Sequence, residues 1–320
     1  MTTFDDTSEL LEFTNLVDDR LFQPCEVEVQ GTNCKIPLSW ELRSGRGGPR
    51  TVVFGGIHGN EPCGVHAIRH LLQEFSAKRL LLESGSLVLA IGNEQALRAG
   101  VRYVGENMNR QFHLSQPPTG SDYERTRVDE LKAILRSDIT VLLDLHATSA
   151  PSVPYAMIER PFLAEAEKFQ FETIVTGWGE LGDVSVTGDT QTYAEQLGAW
   201  GITMENGQLS DDSSTYSARE ICSKVLSKLG VTGFSPPSQT KNSAVFEMTE
   251  VYRLNRNGFR YARAFSNLEA LQPGELIGQD EVDKFFAPKH YEAVMILPGN
   301  PAMLKPGDNL FHFGKRIQRQ

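Results

Sequence analysis

Two histidines and one glutamate in this chain have the types and spacing that could hold a hydrolytic metal ion. His58 and Glu61 stand in Phe54-Gly-Gly-Ile-His-Gly-Asn-Glu-Pro62, and His146 ends Leu142-Leu-Asp-Leu-His. Two imidazoles and a carboxylate leave a zinc ion one open coordination position, where hydrolytic sites keep the reacting water. Each half-site follows an apolar run of strand character, and the glycines Gly55, Gly56 and Gly59 permit a bend that aims His58 and Glu61 at one point. Taken alone, HxxE also reads as a turn histidine followed by an acid in the first helical turn, where the helix dipole favours it. A glycine-rich turn before a helix would suit phosphate as well. Glu61 would repel that phosphate, and neither GxGxxG nor GxxxxGK[ST] occurs. His146 favours the metal reading, because an apolar strand offers a terminal histidine few partners. Asp144, two residues earlier and on the same strand face, is one such partner.

Between the half-sites lies Asn107-Met-Asn-Arg110. Asn109 offers amide donors, and Arg110 offers a planar fork matched to a carboxylate. Arg102 could polarise a scissile carbonyl or stabilise an oxyanion. In isolation, each arginine reads as a solvated surface residue rather than a functional one. Glu205 closes Gly201-Ile-Thr-Met-Glu. Such a carboxylate is either exposed at a strand mouth or desolvated with a raised pKa, and the second state is what a general base acting on water needs. Cys63, close to Glu61 in sequence, reads as a small buried core residue.

The elements that must position these groups follow from apolar patterning. Strands are expected at 51–54, 86–91, 140–145, 173–176 and 202–205, and helices at 61–75, 123–135, about 190–199 and 213–229. Continuously apolar strands alternating with helices predict an α/β fold: a mixed, mostly parallel sheet flanked by helices. His58, Asn93, His146 and Glu205 then fall at or just beyond carboxyl ends of strands, where such sheets gather function. Residues 1–45 hold an acidic leader with a helical pattern (Leu10, Leu11, Phe13, Leu16, Val17) and a first strand pair. A Gly-, Ser- and Pro-rich stretch over 230–243 reads as a linker. Beyond it, strands at 245–252, 259–265 and 291–297, separated by Asn-Gly and Pro-Gly turns, predict a smaller β-rich C-terminal domain. The expected division is 1–235, catalytic, and 240–320, β-rich.

With 40% apolar and 22% charged residues, the 320-residue composition is that of a globular protein with a sizeable core. A formal charge of −10 argues against nucleic-acid binding, while arginines in a pocket would still accept an anionic small substrate. No apolar run is long enough to span a bilayer, no secretory signal is visible, and Cys25, Cys34, Cys63 and Cys222 lack CxxC spacing. A cytoplasmic protein with free thiols is expected, with self-association into a homo-oligomer left open.

Together the motifs resemble those of the succinylglutamate desuccinylase/aspartoacylase family, relatives of zinc carboxypeptidases of the carboxypeptidase A type. The matches are Gly56-Ile-His58-Gly-Asn-Glu61, Gly92-Asn93, Arg102-Tyr-Val-Gly-Glu-Asn-Met-Asn109-Arg110, Asp144-Leu-His146 and Met204-Glu205, over about residues 51–208. The resemblance implies one Zn2+ on His58, Glu61 and His146, with Glu205 as general base and acid. It also implies Arg102 on the amide carbonyl, and Asn109 with Arg110 on a substrate carboxylate. The substrate does not carry over. Ala147 follows His146 where aspartoacylases proper have asparagine, 190–199 contains no arginine, and 300–304 lacks the tyrosine that those enzymes supply.

The expected chemistry is hydrolysis of the amide bond of a small anionic N-acyl amino acid or related acylated amine. Glu205 would take a proton from water and return it to the leaving amine. The rivals are a zinc carboxypeptidase acting on a peptide end and a metal-retaining binding protein without catalysis. Retention of Glu205, which has no ligand duty, speaks against the second.

Overall fold

A computed structural model describes residues 13, 16–29, 32–136, 138–181, 188–233 and 243–318. Its strands are β1 (Gln23–Val29), β2 (Thr32–Arg43), β3 (Arg50–Gly55), β4 (Ser86–Ile91), β5 (Val141–Thr148), β6 (Tyr155–Met157), β7 (Thr173–Thr176) and β8 (Trp200–Gln208). After the 230–243 stretch come β9 (Ala244–Arg253), β10 (Arg260–Tyr261), β11 (Leu276–Gln279), β12 (Lys284–Phe286), β13 (Ala293–Ile296) and β14 (Asn309–Ile317). The helices are α1 (Cys63–Ser76), α2 (Glu94–Ala99), α3 (Asp122–Ile134), α4 (Leu163–Ala166), α5 (Thr190–Gln196) and α6 (Ser213–Lys228).

Eleven strands form one sheet in the order β1-β2-β4-β3-β5-β8-β6-β7-β9-β14-β13. Its centre, β4-β3-β5-β8, is parallel, and antiparallel pairs flank it at both edges. The central strands are apolar throughout because both faces are covered. Val53, Leu143, Leu145, Ile202 and Met204 pack under α1 and α6, whereas Val52, Phe54 and Leu142 pack under α3 and α5. The alternation places Asp144, His146, Thr203 and Glu205 on the α5 side.

The segment beyond the linker joins the same sheet through the parallel β7–β9 pairing. It adds a three-stranded sheet, β10-β11-β12, and a separate aromatic core of Phe259, Phe265, Phe311 and Phe313. The expected 259–265 strand shrinks to Arg260–Tyr261, and Phe259 and Phe265 on either side of it pack into that core. Strands β6, β11, β12 and β14 are additional to those expected.

Of the leader pattern, Leu10 and Leu11 lie outside the described residues, as do 234–242 of the linker. Phe13 is buried, its ring 5.0 Å from that of Trp40. All four cysteines are free, and only Cys34 is exposed. Among the described residues, no helix is long and apolar enough to cross a membrane.

Candidate metal and catalytic site

The turn after β3 is tight for steric reasons. Gly56 adopts φ +70°, and a Cβ at Gly59 would stand 2.1 Å from the Ala96 carbonyl carbon in α2. The bend therefore threads against the first turn of α2, which Asn93 caps by accepting from the Ala96 N–H at 3.0 Å. That approach delivers His58 and Glu61 to the carboxyl end of the neighbouring β5.

Contrary to the expectation that they close their strands, His146 and Glu205 lie short of the strand ends. Both strands run on, to Thr148 and Gln208, through a register shift after the His146–Glu205 pair. Tyr155 of β6 continues the ladder from the other side of Glu205. His146 and Glu205 are thus in-register neighbours on adjacent strands and share a face, so their side chains meet over a strand spacing of about 5 Å.

The three candidate ligands converge. His58 Nδ1 lies 3.2 Å from His146 Nδ1 and 3.1 Å from Glu61 Oε1, and His146 Nδ1 lies 2.8 Å from Glu61 Oε2. All three residues are buried, and one donor atom from each falls within 4.8 Å of the others. The outer nitrogens explain why the inner ones converge. His58 Nε2 donates to Asn107 Oδ1 at 3.1 Å, which leaves a lone pair on Nδ1. His146 Nε2 stands 3.0 Å from Asp144 Oδ2, and although the approach is not aligned for a hydrogen bond, the carboxylate draws the proton to that nitrogen. Two lone pairs and a carboxylate facing one point make a candidate cation site. Ligands about 2.0–2.1 Å from a tetrahedral zinc stand roughly 3.3 Å apart, close to the 2.8 to 3.2 Å found here. The donor set fits the ion.

Around this centre the supports are layered. Thr190 at the start of α5 hydrogen-bonds Asp144 through its hydroxyl, and its N–H donates to Asn109 Oδ1 at 3.0 Å. Asn206 Nδ2 donates to the His146 carbonyl at 3.0 Å. The buried Glu124 of α3 accepts from the N–H groups of Val104, Gly105 and Glu106 at 2.8–3.1 Å and so fixes the loop bearing Arg102 and Asn107. Cys63 is buried with its Sγ 3.5 Å from the His146 carbonyl oxygen, and burial pushes its thiol pKa far up; it stays outside the ligand cluster.

Glu205 is 8% exposed, and its Oε2 has no hydrogen-bond partner among the described residues. Burial pushes its pKa up to about 7; the neighbouring His146 and Arg102 oppose the shift and Glu61 adds to it. Of the two sequence alternatives, the desolvated carboxylate is the one observed. Arg102 Nη1 donates to Glu61 Oε1 at 2.7 Å, which places the guanidinium beside the ligand cluster. Arg110 is half-buried over the Trp178 ring, 5.4 Å from its centroid, and Nη1 donates to the Asn109 carbonyl at 2.6 Å. Burial lowers its pKa to about 10, with Asp189 opposing, so it keeps its charge at neutral pH.

These groups line one cavity of about 240 Å³. Its far wall comes from residues 297–312: Leu297, Pro298, Met303, Leu304, Asp308 and His312. Sequence reasoning assigned no role to Asn107, Thr190, Trp178, Asp189 or His312. Asn107 lay within a quoted motif; the others acquire their places only through long-range pairing.

Residues 47–222 match the succinylglutamate desuccinylase/aspartoacylase catalytic domain. An N-acyl-aromatic-L-amino acid amidohydrolase (carboxylate-forming) from Homo sapiens is 38% identical over 127 residues, 37% of either chain. The match thus spans little more than a third of that relative. A succinylglutamate desuccinylase from Burkholderia orbicola is 25% identical over 80% of this chain and 78% of its own length. The structure of succinylglutamate desuccinylase from Vibrio cholerae superposes with a TM-score of 0.73 at 18% identity, covering 95% of this chain and 94% of that one. With the catalytic-domain match extending over more than half of its length, the chain belongs to the succinylglutamate desuccinylase/aspartoacylase family.

Proposed function

We propose that this protein is a zinc-dependent amidohydrolase acting on small N-acyl amino acids, with His58, Glu61 and His146 as ligands and Glu205 as general base. One observation carries the reading: an unpartnered, desolvated carboxylate lies in register beside a three-donor cation site. Zinc bound there would act as a Lewis acid and lower the pKa of a water from 15.7 toward about 7.

The residues do the rest. Glu205, with no competing hydrogen bond, takes a proton from the attacking water. The oxygen of that water adds to the amide carbonyl carbon, and Arg102 is near enough to the centre to stabilise the developing oxyanion. The carbon–nitrogen bond then breaks, and Glu205 returns its proton to the departing nitrogen, leaving a carboxylate and a free amine. Arg110, with Asn109 beside it, orients the substrate carboxylate. The far wall supports a small substrate over a peptide: residues 297–312, from the β-rich portion expected at 240–320, close a cavity of about 240 Å³, below the roughly 300–1,000 Å³ of drug-sized sites. Four unpaired thiols fit a reducing compartment such as the cytoplasm.

The test is a panel of N-acyl amino acids (formyl, acetyl and succinyl, on aspartate, glutamate and neutral residues) assayed with and without a chelator, alongside metal analysis. Turnover that chelation abolishes and zinc restores is expected. Stoichiometric zinc with no turnover on any member would favour the binding-protein reading, and failure to take up zinc would overturn the site altogether.

A further inference from the structure

Alternation along β14 sends Phe311 and Phe313 into the C-terminal core and His312 to the opposite face. There its ring lies 5.4 Å from that of Trp178, the indole over which Arg110 also sits. His312 is 1% exposed yet lines the cavity. Neither ring nitrogen makes an aligned hydrogen bond among the described residues, although the Ile296 backbone lies near the ring. Burial pushes its pKa down to about 3, with the Arg110 charge acting in the same direction and the Ile296 backbone against it. The ring is therefore a neutral imidazole with one N–H to donate. A buried polar ring with no partner is destabilising in the free protein, so its presence calls for a ligand that satisfies it.

We infer that His312 is a substrate-binding residue whose imidazole N–H donates to the carboxylate that Arg110 holds, completing its coordination from the side of β14. This rests on the hydrolase reading above. Arg110 already spends Nη1 on the Asn109 carbonyl, so part of its fork is unavailable to the substrate. Arg102, the other guanidinium in the cavity wall, is engaged by Glu61. A second carboxylate would meet Asp189 and Asp308 in the same wall. One carboxylate, shared between a guanidinium and a neutral donor, satisfies these groups without adding charge. The substrate class that follows is an N-acyl amino acid with a single carboxylate.

Steady-state kinetics of His312→Phe and His312→Gln in the zinc-loaded full chain test this, using the best substrate of the panel and thermal unfolding as a second readout. Loss of a hydrogen bond to a charged group should raise KM about tenfold or more in His312→Phe with kcat little changed. Its Tm should equal or exceed that of the wild type, because an apolar ring of similar shape replaces an unpaired polar one. His312→Gln, which keeps a donor, should recover most of the lost affinity. An unchanged KM in His312→Phe, or a lowered Tm with kcat and KM both impaired, would show a structural ring and overturn the inference. Preference for dicarboxylate substrates would overturn the single-carboxylate class. A wild type that hydrolyses no panel member fails the parent reading instead, a result separable from these.

Discussion

At the sheet end of the cavity, each candidate ligand is held by a second residue: His58 by Asn107, His146 by Asp144, Glu61 by Arg102 and the Ala147 N–H at 3.2 Å. At the opposite wall, the His312 ring makes no aligned hydrogen bond among the described residues, and Leu297, Pro298, Met303 and Leu304 present apolar surface, with Met303 half exposed. The first group stands at the carboxyl ends of parallel strands covered on both faces. The second stands on a loop and an antiparallel strand. The contrast separates two requirements. Groups that must keep geometry for chemistry are fixed by a surrounding network. Groups that meet the variable part of a ligand are left for the ligand to complete. Glu205 is the exception at the sheet end, placed in register beside His146 but without a partner for Oε2 among the described residues, as the proposed proton acceptor would have to be.

That exception gives the sharpest way to break the comparison. Glu205→Gln keeps the shape and removes the base, so turnover should fall by about 10²–10⁴-fold while zinc stays bound. Undiminished turnover would remove Glu205 from the mechanism; loss of zinc would make it part of the metal scaffold. The wild-type pH profile carries the same information. A base must be ionised to act, and burial pushes this carboxylate up to about 7. The rate should therefore rise with pH through a limb at or below 7, since a bound cation adds an acid-strengthening charge, and Glu205→Gln should lack that limb. The next largest effect belongs to the network. Asp144→Asn keeps the side-chain size but weakens the charge that orients His146, so metal affinity should drop about 10–100-fold in a chelator competition. An unchanged affinity would mean that the fixed end needs no such support.

How much of this was legible in the sequence follows the same division. His58, Glu61 and His146 stood out because cation ligation restricts residue type, and strand β4 was bounded correctly at 86–91 because full burial makes a continuous apolar run. Glu205 was legible as a residue, but its burial was not: the strand extension to Gln208 depends on pairing with Thr148 and Tyr155, which a local pattern does not encode. His312 was silent for a stronger reason. Phe311-His-Phe313 alternates as any half-covered strand would, and Gly314 interrupts the run. Only its pairing with β9 and β13 reveals that the polar position faces Trp178. A site whose residue types are dictated by chemistry can be read from one chain; a wall assembled by distant strands cannot.

The smallest expected effect tests whether the far wall serves selectivity alone. Met303 is 50% exposed, so Met303→Ala removes cavity surface with little packing at stake, and stability should stay within about 0.5 kcal/mol of the wild type. An apolar contact worth one or two methylenes discriminates by roughly 10–200-fold when fully buried. At a half-exposed side chain the effect should fall at or below the lower bound. KM should therefore rise up to about tenfold for an N-acyl amino acid with a large apolar side chain and stay unchanged for the glycine derivative. Zinc content and the pH limb set by Glu205 should not move. If the glycine derivative loses as much, or if the acid limb shifts, the far wall is coupled to the metal centre, and the separation between a fixed catalytic end and an adaptable substrate end fails.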